Sequence, residues 1–78
     1  MKTLINNIDK IHTTPLGYKR IKKNLELKNI DVIEYVKNMV LNKKSKIYKK
    51  GKNYYIENNN VIVTINSYSY TIITAHDK

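Results

Sequence analysis

The segment Asn60–Lys78, NVIVTINSYSYTIITAHDK, decides the fold of this chain. Two apolar runs within it, Val61–Ile65 and Tyr70–Ala75, flank a short polar break at Asn66 and Ser67. Alternating β-branched and aromatic side chains are typical of strands, so the two runs predict the longest pair of an antiparallel sheet. We expect the last strand to cover residues 69–75.

The alternation in the last strand assigns its side chains to two faces. One face should carry Tyr70, Ile72 and Thr74, and the other Thr71, Ile73 and Ala75. Because both faces are partly apolar, we expect these strands to be central in the sheet or covered on more than one side.

Two shorter strands precede this segment. Lys46–Lys49 and Asn53–Glu57 are joined by a turn centred on Gly51, which can adopt a positive φ. Three asparagines, residues 58–60, supply the next turn, since asparagine tolerates the left-handed region. The sequence therefore predicts a four-stranded antiparallel meander over residues 46–76.

Helical patterns occupy residues 3–42. Residues 3–11 place an apolar stripe on one side of a short helix that Thr3 can cap. A second helix should run over residues 15–26, with Thr14 as its N-cap. Gly17 lies inside its first turn at a cost of about 1 kcal/mol, which we expect to reflect close approach of another backbone.

The third helix has the clearest start. Asp31 and Glu34 have the spacing of a capping box, and the apolar stripe that follows extends to Leu41. Helices grouped before strands predict an α+β fold, with two to three N-terminal helices packed on one face of the sheet. We expect one small basic domain, residues 1–78.

The charge of the chain suggests its partners. Fifteen Lys and Arg against six Asp and Glu give a net charge of +9, which favours RNA or another nucleic acid. Lysine, asparagine, isoleucine and tyrosine all have AT-rich codons, so genome composition can also raise this charge. The chain has no cysteine and no signal-peptide or membrane-span pattern, so we expect a cytoplasmic protein without membrane contact.

Two histidines, His12 and His76, are candidates for catalysis. One as base and one as acid would suffice for RNA cleavage without a metal, since the base takes the 2′-OH proton and the acid protonates the leaving oxygen. Arg20 can stabilise the charge that develops on the phosphate. Alternatively, His12 only ends the first helix and His76 is an exposed terminal residue.

A second candidate surface would contact nucleic acid directly. The basic side of helix two and the first hairpin offer cations, and a tyrosine can stack on a base. The predicted binding residues are Lys19, Lys22, Lys23, Lys50, Lys52 and Tyr54. The same lysines are equally compatible with an ordinary solvated surface. No ligand spacing predicts a metal site, and we expect no cofactor.

Three motifs carry a family resemblance. I-H-T-T-x-L-G-x-x-R-I-K-x-N-L spans residues 11–25, G-K-N-Y-Y-I spans 51–56 and N-S-Y-S-Y-T-I-I-T-A-H spans 66–76. Together they resemble a family of small bacterial proteins, common in Firmicutes, that is described as a domain of unknown function.

The architecture also resembles that of RelE-type ribonuclease toxins and of the wider barnase–EndoU–colicin–RelE group. This resemblance implies a metal-independent endoribonuclease with an acidic antitoxin as its protein partner. It places catalytic roles on His12, Arg20, and Thr74 or His76.

Two other classes of function remain open. The chain could be a non-catalytic nucleic-acid-binding module, such as a phage-type regulator or an anti-defence inhibitor. It could instead be a protein-interaction domain that forms a homodimer through its sheet.

Overall fold

A computed structural model describes residues 2–78 of the chain. Its elements, in order, are α1 (Lys2–Asn6), a single 3₁₀ turn (Ile8–Lys10), α2 (Pro15–Asn24), α3 (Val32–Leu41), β1 (Lys46–Lys50), β2 (Asn53–Asn58), β3 (Val61–Asn66) and β4 (Ile72–Asp77). The strands form one antiparallel sheet in the order β1-β2-β3-β4. The α+β class and the four-stranded meander are confirmed. No helix in the described range is long and apolar enough to cross a bilayer.

The first helix is shorter than the apolar stripe predicts. Thr3 lies inside α1 rather than capping it, and its carbonyl accepts a hydrogen bond from the Asn7 side chain at 2.8 Å. Asparagine competes with the helix for backbone partners, so α1 stops and the chain continues through the 3₁₀ turn. Half of the stripe is buried, since Leu4 and Ile11 belong to the core, while Ile8 is half-buried and Ile5 is exposed.

The second helix begins as predicted, with the Thr14 hydroxyl accepting from the Gly17 N–H at 3.0 Å. It ends at Asn24 because Glu26 adopts a φ of +53° and turns the chain. A Cβ on Gly17 would lie 2.5 Å from the Thr13 hydroxyl oxygen. The crowding that requires glycine therefore comes from the chain's own threonine side chains, and the expected approach of another backbone is wrong.

The N-cap of α3 also ties two helices together. The Asp31 carboxylate accepts from the backbone N–H groups of Ile33 and Glu34, and from the Tyr18 hydroxyl on α2 at 2.6 Å. These hydrogen bonds, the one from Tyr18 foremost, lower the pKa of Asp31 because they favour its charged form. The same contact raises the pKa of Tyr18.

One apolar core lies between the helices and one face of the sheet. The helical part of the chain contributes Leu4, Ile11, Ile21, Val32, Val36, Met39 and Val40, and the strands with the turn before β4 contribute Tyr54, Ile56, Val61, Val63, Ile65, Tyr70, Ile72 and Ala75. On β2 the buried residues alternate, as expected for a strand with one covered face, whereas on β3 Thr64, which faces the other side of the sheet, is buried as well.

The last strand departs from simple alternation. It covers Ile72–Asp77, and its pairing with β3 shifts between Thr64 and Ile65. Ile72 and Ala75 are both buried although they are three positions apart. A β-bulge inserts one residue and so changes the face of every residue after it. The predicted grouping of Tyr70, Ile72 and Thr74 is therefore wrong, because Thr74 lies opposite Thr64 on the other face.

The second face of the sheet, here called the open face, carries no helix within residues 2–78. Its side chains include Tyr48 of β1, Tyr55 and Glu57 of β2, and Ile62 of β3, all half-buried by one another. Of the predicted alternatives for the last two strands, β3 is indeed central in the sheet, whereas β4 lies at its edge and no helix covers the open face in this range. A polar and aromatic surface is left available for a ligand.

Candidate nucleic-acid interface

The segment around His12 extends the sheet beyond β4. The His12 N–H donates to the Tyr70 carbonyl at 3.1 Å, and the Ile72 N–H donates to the His12 carbonyl at 2.8 Å. These bonds form a short parallel bridge between His12 and Thr71. A residue from the N-terminal part of the chain is thereby fixed at one end of the open face.

Register places five side chains in one line across that end of the open face. His12 is beside Thr71, Asn66 lies opposite both Thr71 and Asn53, and Asn53 lies opposite Lys50. We call these five residues the polar row. Neighbouring strands are about 4.8 Å apart, so the row spans about 19 Å, or roughly three nucleotides of an extended strand.

A hydrogen-bond network holds one half of the polar row. The His12 Nε2 atom lies 3.0 Å from the Thr71 hydroxyl, which lies 2.8 Å from the Ser69 hydroxyl. The Asn66 side-chain oxygen accepts from the backbone N–H of Ser69 at 2.9 Å. The turn before β4 is therefore built around the row.

The tautomer of His12 follows from its other nitrogen. Nδ1 is 2.8 Å from the Lys10 carbonyl oxygen, which can only accept, so Nδ1 carries the proton. In the neutral ring, Nε2 is then an acceptor directed at the Thr71 hydroxyl. This arrangement presents a lone pair on the open face.

The other half of the polar row lies beside the β1–β2 turn and the β3–β4 turn, which contact each other directly. The Ser67 N–H of the β3–β4 turn donates to the Lys52 carbonyl of the β1–β2 turn at 2.7 Å. Gly51 in the latter turn has a φ of +62°, which supports the predicted hairpin. The Tyr68 side chain, next to Ser67, is 76 % exposed. The hairpin of Lys50 and Lys52 and the turn that carries an exposed aromatic ring therefore meet at one corner of the sheet, where Lys50 belongs to the open face.

Two tyrosines stack in the middle of the open face. The rings of Tyr48 and Tyr55 have centroids 5.3 Å apart at 16°, and the Lys46 ammonium lies 5.6 Å from the Tyr48 ring centre. Glu57 forms an ion pair with Lys78 and accepts from the Tyr48 hydroxyl at 2.7 Å. These contacts, that with Lys78 foremost, lower the pKa of Glu57. Tyr48 is thereby held in place.

Comparison with protein families identifies the chain. The family described as "Protein of unknown function (DUF3781)" matches residues 5–76. This chain belongs to the DUF3781 family. The matched residues contain the elements from α2 to β3 in full and end at His76 of β4. The predicted resemblance to an uncharacterised domain family is therefore confirmed. Comparison with curated proteins and with solved structures gave no significant match, and the likeness to RelE-type toxins stays a prediction.

The four predicted catalytic residues of this DUF3781 chain do not form one cluster. Arg20 and Thr74 line a groove between α2 and β4. His12 lies at the start of β4, while His76 is near its end, where Nδ1 contacts the Asp77 carbonyl at 2.8 Å. The two histidines are separated by roughly 15 Å of strand, so a joint acid–base role for them is wrong in this geometry.

The predicted binding lysines fall on two separate surfaces. Lys19, Lys22 and Lys23 line a shallow depression at the end of α2, which packs beside β4. Lys50 and Lys52 flank the hairpin at the opposite edge of the sheet. At least two strand spacings, about 10 Å, separate the two groups, so the idea that the hairpin and helix two share one side is wrong.

Tyr54 is wrongly predicted as a base-stacking residue. It is only 4 % exposed, and its ring lies against Tyr70 in the core, with centroids 6.5 Å apart. Its neighbour Tyr55 points to the open face instead. The alternation contained this signal, because Tyr54 is followed two positions later by apolar Ile56, and Tyr55 by charged Glu57.

The remaining residues of the polar row could not be identified as candidates from the sequence alone. Asn53, Asn66 and Thr71 are ordinary turn and strand residues, and only the register brings them beside His12. Among the residues described, no group of three or more His, Cys, Asp or Glu side chains could hold a metal ion. The chemistry available at the polar row is therefore that of amides, hydroxyls, an imidazole and lysines.

Proposed function

We propose that this DUF3781 protein binds single-stranded nucleic acid, with RNA as the preferred class, on the open face of its sheet. The observation that carries the proposal is the contact between the two turns, which brings the hairpin of Lys50 and Lys52 next to the turn that carries the exposed ring of Tyr68. Single-stranded nucleic acids are bound by such combinations, because lysines contact phosphates while aromatic rings stack on bases.

The rest of the polar row supports the same ligand. Asn53, Asn66 and Thr71 place amide and hydroxyl groups in the row. Groups of this kind pair with base edges, which offer both donors and acceptors. A nucleic-acid ligand is available in the cytoplasm, which is the location that the proposal assigns to the protein.

Charge reversal at the hairpin tests the proposal. The variant Lys50→Glu/Lys52→Glu should bind a labelled single-stranded RNA about thirtyfold more weakly, since each lost lysine–phosphate contact is worth about 1 kcal/mol. Fluorescence anisotropy at low salt measures the affinity. The variant Lys22→Glu/Lys23→Glu is a matched control, because it changes the net charge by the same amount on the other surface. Equal losses in both variants would contradict a defined site on the open face.

Cleavage of the bound RNA is a second candidate, favoured by the fixed tautomer of His12. With Nδ1 protonated, Nε2 can accept the proton of a ribose 2′-OH in place of Thr71. The 2′-oxygen would then attack the phosphorus, forming a 2′,3′-cyclic phosphate as the bond to the 5′-oxygen breaks. Solvent would protonate that oxygen, because His76 lies too far away.

A gel assay with RNA in EDTA tests the cleavage step. The His12→Ala variant should lose at least about a hundredfold in rate, which is the usual contribution of a general base. His76→Ala should keep the activity of the unchanged protein. If His12→Ala cleaves as fast as the unchanged chain, His12 is not the base and the binding proposal stands alone.

A further inference from the structure

The outer edge of β4 is unpaired beyond its first residue. In the sheet of residues 2–78, β4 pairs with β3 alone, and His12 bridges only to Tyr70 and Ile72. The Lys78 N–H donates to the Asn60 carbonyl at 2.6 Å, on the β3 side. Because backbone groups alternate in direction along a strand after the bulge, those of Ala75 and Asp77 point to this outer edge, where the Asn24 side chain of α2 donates to the Ala75 carbonyl at 3.5 Å.

Helix α2 runs beside this edge and leaves a groove of about 410 Å³. We call it the edge groove. Leu16 and Arg20 line it from α2, and Ile73 lines it from β4. Leu16 is 59 % exposed and Ile73 is 48 % exposed. Large apolar side chains at the mouth of a groove beside a free strand edge are typical of peptide-binding sites.

We propose that the edge groove binds an extended acidic segment of a partner protein, which adds a fifth strand to the sheet alongside β4. The free backbone groups recur at every second residue, about 6.6 Å apart, and this is the repeat of another extended polypeptide. The side chains that the added strand turns toward the groove contact Leu16 and Ile73. The groove is thus a site for protein, distinct from the nucleic-acid surface on the open face.

Charge decides between an acidic segment and a second copy of the chain. Arg20 is the one charged side chain among the residues that line the edge groove in the described range. Its guanidinium can pair with a carboxylate through two parallel hydrogen bonds. Joining two copies at β4 would instead bring together two Arg20 side chains and two molecules of net charge +9. A negatively charged strand is therefore the favoured occupant.

Short peptides test the edge groove directly. The probe is a fluorescein-labelled peptide of about eight residues in which valine and glutamate alternate, a length that matches an average strand. It should bind at least about tenfold more tightly than the corresponding valine–lysine peptide. Full N-methylation of the valine–glutamate peptide should abolish binding, because the backbone donors are lost. Equal binding of the acidic and basic peptides would overturn the proposal.

Matched variants locate the site. Arg20→Glu and Ile73→Glu should each weaken binding of the acidic peptide at least about tenfold, while Leu41→Glu, an exposed apolar position on α3, should leave it unchanged. Circular dichroism confirms that each variant is folded. Lys50→Glu/Lys52→Glu should retain peptide binding, so failure of the nucleic-acid proposal is distinguishable from failure of this one. A dimer in sedimentation that Ile73→Glu dissociates would show that a second copy occupies the edge and would overturn the acidic-partner assignment.

Discussion

Replacing Ile56 with alanine is expected to lower the free energy of unfolding by about 3 kcal/mol, because buried Ile→Ala changes cost about 2–5 kcal/mol. Ile56 is completely buried on β2, between Ile47 of β1 and Val63 of β3. A domain of 78 residues has a total stability of about 4–12 kcal/mol. The melting temperature, measured by circular dichroism, should fall by about 15–20 °C.

The control for this variant is Ile73→Ala. Ile73 also lies in a strand, so the two substitutions share the same change in side chain and the same loss of strand propensity. Since Ile73 is about half exposed, its truncation should cost under about 1 kcal/mol. Equal melting temperatures for the two variants would mean that the helices do not cover the face of the sheet on which Ile56 lies.

The sequence is sufficient to predict the elements whose signals are local. Asp31 caps α3 and Thr14 caps α2 because a side-chain oxygen meets N–H groups only two or three residues away. Gly51 marks its hairpin for a similarly local reason, a positive φ. These signals need no knowledge of the rest of the molecule.

The bulge in β4 could not be predicted in the same way. Strand alternation assumes one residue per position, and the inserted Ile73 changes the face of Thr74 and Ala75. Tyr70 has a φ of +60°, an uncommon conformation for an aromatic residue, and its carbonyl bonds to His12. The path of this segment depends on a contact with a residue 58 positions earlier in the chain.

The candidate surface was predictable only in part. Lys50 and Lys52 were identified from charge, and they do lie beside the polar row. The pairing of His12 with Thr71 depends on a sequence separation of 59 residues, and no local pattern encodes such a contact. Without this contact, the sequence does not distinguish His12 from His76. In the structure, His12 is held by hydrogen bonds to Lys10 and Thr71, whereas the His76 ring contacts the carbonyl of the adjacent Asp77.

The two sides of the sheet leave room for two ligands at once. The hairpin with Lys50 on the open face lies at one edge of the sheet, whereas the edge groove lies beside α2 at the other. An acidic partner in the groove would lower the net positive charge without covering the polar row. Binding of such a partner should therefore lower the affinity for RNA, because the protein then attracts the phosphates less strongly at long range. Salt screens this attraction, so the effect should disappear at high salt concentration.

Raising the salt concentration from 50 to 200 mM is expected to weaken RNA binding about twentyfold. Three lysines lie on or beside the open face, Lys46, Lys50 and Lys52. If each neutralises one phosphate, the logarithm of the affinity falls with the logarithm of salt at a slope of about −2.1, since single strands contribute about −0.7 per contact. Anisotropy titrations at several potassium chloride concentrations measure the slope.

The slopes of the variants decide where the phosphates lie. Lys50→Glu/Lys52→Glu removes two of the three contacts, so its slope should be about −0.7 and its loss over the same range about threefold. Lys22→Glu/Lys23→Glu should keep the slope of the unchanged protein even if its affinity drops slightly, because distant charges act through a screened field rather than through counterion release at the site. If the slope became shallower only in the α2 variant, the nucleic acid would bind on the α2 side of the molecule. The proposed binding at the polar row would then be wrong.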